Sequence, residues 1–89
     1  MKKEINLPLK AKHFIDTRFI DQCNCAIAKA AKDFFNTEEV TEHVGWINIK
    51  GRNFIHKDYG VDDFDSDKKK AETETESETI IRIILLREI

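Results

Sequence analysis

The chain has only two cysteines, Cys23 and Cys25, in 89 residues. A single residue separates them, so they are badly placed for a mutual disulfide and too few for a disulfide framework. A reducing, cytoplasmic setting is therefore expected. No apolar stretch approaches the ~20 residues of a membrane-spanning helix. Met1-Lys2-Lys3 leads into Glu4 and a short alternating segment, so no signal peptide and no membrane partner are expected. Strong positive charge is missing too. The net charge of −2 supplies no global field for nucleic acid or an anionic membrane. The chain also lacks a P-loop, GxGxxG, GxSxG or HExxH signature, which removes the common motif-based routes to an enzyme.

What is present fits one soluble globular domain spanning residues 1–89. Hydrophobic residues make up 40% of the chain and charged residues 36%, too apolar and too periodic for disorder throughout. At this size a single core leaves a thin stability margin. Charge is unevenly placed. Residues 1–36 carry seven Lys/Arg against four acids, and residues 59–79 carry three Lys against eight acids. Such an acidic run is ordinarily a solvated face.

The most informative segment is the apolar run Ile80–Ile89, preceded by the polar stretch Asp62–Thr79. A run this hydrophobic requires burial in a strand or in a contact between chains. Ile81, Ile83 and Leu85 alternate with Ile80, Ile84 and Leu86, so both faces of the strand are apolar. Near the start, Ile5, Leu7 and Leu9 alternate with Glu4, Asn6 and Pro8, the period of a strand with one buried face. Pro8 cannot donate to a ladder, which places this strand at an edge or ends it there. Residues 10–20 suit one or two short helical turns.

A helix is expected over residues 24–36, with Asn24 as N-cap and four alanines that favour helix and close packing. Ile27, Ala30, Ala31, Phe34 and Phe35 share its apolar side. A hairpin follows, with strands Val40–Ile49 and Phe54–Tyr59 joined through a type II′ turn that uses Gly51. With Gly51-Arg52 as the loop, Ile49 faces Phe54 and Ile47 faces His56. Ile47, Ile49 and Phe54 then share one face, and Val44, Trp46, Ile55 and Tyr59 share the other. Residues 61–79 read as an acidic polar connector, in which Asp62–Asp67 leading into Lys68–Glu72 is a possible short surface helix, acids first and bases later as the helix dipole prefers. The order β-α-β-β-(α)-β implies an α+β fold: a small, mostly antiparallel sheet packed against one main helix. One helix covers one face only, so a homo-oligomer is expected to cover the other.

Candidate chemistry is sparse. Cys23-Asn24-Cys25 is tighter than a C-x₂₋₄-C zinc pair, and His13, His43 and His56 show no ligand spacing. Cys25 near a helix N-terminus has the setting of an activated thiol, but no histidine is placed beside it by the sequence. Asp62, Asp63, Asp65 and Asp67 lack the glycine and the terminal glutamate of a calcium loop. No catalytic residue, metal site or cofactor is assigned, and the chain reads as a non-enzyme. Trp46, Arg52 and Tyr59 are the candidate binding residues: a cation at the hairpin tip with aromatics near it, suited to a small anionic, nucleotide-like ligand or to a protein contact. Polymeric nucleic acid on the basic N-terminal region is the alternative.

The helix opening Asn24-Cys25-Ala26-Ile27-Ala28-Lys29-Ala30 fits the pattern [DN]-C-x-[IL]-A-x-A. With the preceding strand and the hairpin segment Trp46-Ile47-Asn48-Ile49-Lys50-Gly51, it resembles a group of small uncharacterised phage and prophage proteins over roughly residues 5–60. The resemblance brings no activity and no catalytic residues. It implies a mobile-element accessory protein in a bacterial host, acting by binding a host protein, or a virion component.

Overall fold

Alternating apolar residues near the two ends of the sequence meet as neighbouring strands on one side of the sheet. The computed structural model describes residues 3–17, 25–56 and 59–89. Strand β1 (Glu4–Lys10) pairs antiparallel with strand β5 (Ile80–Glu88), with Ile5 opposite Leu86 and Leu7 opposite Ile84. Between them come α1 (Ala26–Phe35), β2 (Val40–His43), β3 (Trp46–Ile49), β4 (Arg52–Ile55) and α2 (Val61–Glu72). A 3₁₀ turn over Ala11–Phe14 follows β1. The five strands form one antiparallel sheet in the order β1-β5-β4-β3-β2. The fold is α+β.

Pro8 explains why β1 lies at the edge. Glu88 donates its N–H to Lys3 O. With the register of the pair, this turns the nitrogens of residues 5, 7 and 9 toward β5 and that of Pro8 outward. The missing donor costs the ladder nothing there. The C-terminal strand, by contrast, is internal. Its end pairs with β4 through Phe54–Glu88 and Ile55–Arg87.

The hairpin expected over residues 40–59 is a three-strand meander with a different register. Val44-Gly45 interrupts the first strand, with Gly45 at φ +82°, so His43 faces Trp46 across a tight turn. In the next turn Lys50 and Gly51 are both left-handed, at φ +51° and +81°. The loop is Lys50-Gly51, of the I′ kind, instead of a II′ turn on Gly51-Arg52. Ile49 therefore faces Arg52 and Ile47 faces Phe54, a shift of two residues from the expected pairing. An even shift preserves facing, so Ile47, Ile49 and Phe54 still share the buried side.

α1 begins later than Asn24, which lies outside the described residues. Cys25 is the N-cap, its Sγ accepting from the Ala28 N–H at 3.3 Å. Asn36 ends the helix in the left-handed conformation. Ala28 and Ala31 are fully buried, and Ile27 and Ala30 nearly so. These small residues let α1 approach the sheet closely. Phe34 departs from the expected apolar side: it is half-exposed, its ring edge-on to Phe35 at 5.0 Å.

Residues 61–72 form a three-turn helix, longer and better anchored than the short surface helix expected within the connector. Only Phe64 and Asp67 of α2 are buried, too few to mark a helical period. Gly60 N–H donates to Asp63 Oδ2 at 3.0 Å at its start, and the acids there suit the helix dipole. Phe64 packs against Phe14. Both helices thus lie on one side of the sheet, above a single core that includes Leu7, Leu9, Ile47, Phe54, Ile84 and Leu86. Each such aliphatic side chain contributes roughly 1.5–3 kcal/mol by leaving water.

Candidate functional site

Trp46, Arg52 and Tyr59 go to three different places. Tyr59 follows β4 after the chain has left the sheet, so it joins the core and not the face of Trp46. Its hydroxyl donates to Asp67 Oδ2 at 2.8 Å. Burial, and the adjacent Asp67 carboxylate, push that phenol well above its ordinary range. Asp67 also accepts from Arg82 Nε and Nη2 at 2.6 and 3.2 Å, and the guanidinium lies over the Tyr59 ring at 5.3 Å. This network fastens α2 to β5. Arg52 makes a two-pronged pair with Glu88, both contacts at 2.6 Å, which holds the Glu88 carboxyl below its usual range. Its fork is therefore already engaged within the chain.

Trp46 alone stays available. It is 36% exposed and stacks on His43 at 3.8 Å with 8° between the rings. It lies on the sheet face away from the helices. Alternation along each strand fixes what shares that face: Ile83 and Leu85 from β5, Ile55 from β4, and Asn6 and Pro8 from β1. Ile83 is 58% exposed and Leu85 39%, while their neighbours Ile84 and Leu86 are buried. Val44, Trp46, Asn53, Ile55, Gly45 and Ile89 line an open hollow of about 470 Å³. The charges this face carries on its strands are Glu4 and Arg87, which pair at 3.0 Å, and Lys10, which pairs with Glu78 at 3.1 Å. In a chain with 36% charged residues, that is a marked depletion.

A second constellation, on the helix side, was not visible in the sequence. Glu42 and His56 are both buried, and His56 Nε2 pairs with Glu42 Oε1. The other Glu42 oxygen lies 4.0 Å from Cys25 Sγ, beside the positive end of α1. His56 Nδ1 has no hydrogen-bond partner among the described residues. Glu42 stands between thiol and imidazole, so Cys25 meets a buried carboxylate and not the imidazole of a Cys–His pair. Its thiol is also 2% exposed. That geometry does not make a nucleophile. The cluster could only have been found with the true strand register, because fourteen residues and two turns separate Glu42 from His56. His56 also lines a cleft of about 240 Å³ with Tyr59, Arg82, Ile83, Ile84 and Leu85.

His13 shows what a settled buried histidine looks like. Its Nδ1 accepts from the Lys10 N–H at 2.9 Å and its Nε2 lies 3.1 Å from Asp33 Oδ2. The first bond puts the ring proton on Nε2, where it donates to Asp33, so the neutral ring is satisfied at both nitrogens. Burial, the largest cause, lowers its pKa below the ordinary value despite Asp33. Lys12 bridges Asp33 and Glu78, and Lys10 reaches Glu78. Two of the N-terminal lysines proposed for nucleic acid are thus engaged within the chain.

Among the described residues, no group of three or more His, Cys, Asp or Glu is arranged to hold a metal ion. No helix among them is long and apolar enough to cross a membrane. Compared with known proteins, the chain matches no family model, no curated protein and no solved structure.

Proposed function

We propose that this chain is a non-enzymatic docking protein whose working surface is the sheet face opposite its helices, in keeping with a small accessory role of the kind the phage resemblance implies. The observation that carries this reading is the contrast in engagement. The polar groups of Arg52, Tyr59 and Arg82 are committed to partners inside the chain, whereas Trp46, Ile83 and Leu85 project from a charge-depleted face that no described element covers. Depletion of charge with an exposed aromatic is the composition of an interface core. Contiguous apolar exposure of this kind marks association sites. Native mass spectrometry of the protein purified from its natural host tests the reading. A stoichiometric assembly, with itself or with another protein, is expected. A bare monomer from that source would overturn it.

A second reading, a small polar ligand in the cleft beside His56, is favoured by the unpartnered Nδ1. Nitrogen-15 spectra of the His56 ring during titration with inorganic phosphate or acetate test it. A ring that does not respond to either sinks it.

A further inference from the structure

We infer that the occupant of the uncovered face is a second copy of this chain, joined face to face about a two-fold axis so that the β5 ridge of each copy seats in the hollow of the other. The inference rests on the docking reading above and names the partner that the face fits.

Shape is the first argument. The face carries both a projection and a recess. Ile83 and Leu85 stand out from β5, 58% and 39% exposed. The hollow over β3 and β4, floored by Trp46 and Ile55 and flanked by Val44 and Ile89, is open and lined mainly by apolar side chains. Ile55 is directly opposite Arg87, and Leu85 is two residues further along the same strand. Ridge and hollow are therefore neighbours that do not overlap. A two-fold axis in the plane of the interface, midway between them, places each ridge over the partner's hollow. The same patch then serves both copies, as an isologous interface requires. Sheet faces packed this way interdigitate their side chains across about 10 Å.

Charge is the second argument. Glu4 and Arg87 neutralise each other at 3.0 Å, Lys10 is paired with Glu78 at 3.1 Å, and the other strand positions on the face are apolar, uncharged polar or the His43 stacked on Trp46. A nucleic acid or an anionic membrane finds no cationic surface there. A second copy meets a charge-balanced, mainly apolar counterpart. The pattern suits self-pairing best.

The test is a complementation of two variants. Ile83→Lys puts a charge on the ridge, and Ile55→Glu puts the opposite charge in the hollow. Circular dichroism melting verifies that each variant is folded. Sedimentation velocity at micromolar concentration is expected to show a wild-type dimer and two monomeric variants, each weakened on the order of a hundredfold in self-association. An equimolar mixture of the two variants is expected to regain a dimer. In the mixed pair one ridge–hollow contact becomes a lysine–glutamate pair and the other remains wild type. A wild-type monomer, a variant that still dimerises, or a mixture that stays monomeric would overturn the inference. If a wild-type monomer is nonetheless found bound stoichiometrically to a different protein in the host, only the second-copy assignment falls and the docking function stands. A monomer in both settings removes both.

Discussion

The two faces of one strand divide the molecule's work. On β5, Ile84 and Leu86 point to the helices and are buried, while Ile83 and Leu85 point away and are exposed. The four side chains are chemically almost the same. What distinguishes them is only the layer that lies opposite. Two helices and a 3₁₀ turn cover one side, and no described element covers the other, where we propose that a partner buries the apolar residues. The lesson is that apolarity on both faces of a strand reports two separate requirements, one met by folding and one by association.

Substitutions at adjacent positions break this comparison most directly. Leu86→Ala, at a fully buried position, should cost about 2–5 kcal/mol in urea unfolding, because it removes apolar surface and leaves a cavity. Leu85→Ala should cost under about 0.5 kcal/mol at concentrations where the chain is monomeric. Equal costs at the two positions would refute the division. Next in size is the anchor of α2. Asp67→Ala leaves Arg82 and the Tyr59 hydroxyl without their acceptor and should cost about 2 kcal/mol, read as a lower melting temperature.

The buried histidines sharpen the picture of the covered face. Folding lowers the His13 pKa, so the unfolded chain binds its proton more readily than the folded one. The stability that His13 contributes is present above its unfolded value, about 6.5, and is lost as pH falls from there toward the folded value. His13→Gln should flatten that part of the stability–pH curve. An unchanged slope between wild type and variant would show that another group carries it. The smallest effect on stability is expected on the uncovered face itself. Trp46→Ala should leave monomer unfolding within about 0.5 kcal/mol of wild type while weakening assembly.

Much of the fold could be read directly from particular residues. Pro8 points to an edge strand or a strand end, and the edge holds; the alanine-rich stretch marks the packing helix; the apolar tail marks an internal strand, although only one of its two apolar faces is covered by described elements. Three features were not fully legible. The turn at residues 50–51 was misplaced because Gly51 suits either central position of a primed turn, and nothing marks Lys50 for positive φ. The acids-then-bases order of residues 62–72 suggests α2 as a surface helix, but its tie to the sheet, a buried aspartate with an arginine and a tyrosine, leaves no hydrophobic period. The Cys25–Glu42–His56 cluster depends on strand register, which spacing along the chain does not reveal. Of the candidate binding residues, Trp46 was placed on a sheet face by alternation alone. Continued alternation would put Tyr59 on that face too, but β4 ends at Ile55 and Tyr59 is buried in the core.

The helix-covered face makes the fold, and the bare face is the one we propose makes the assembly. Sedimentation velocity of wild type and Leu85→Lys at micromolar concentration, with a thermal melt of each, tests this division most directly. The account predicts a wild-type dimer and a Leu85→Lys monomer that remains folded. A monomeric wild type, or a Leu85→Lys chain that fails to fold, would contradict it.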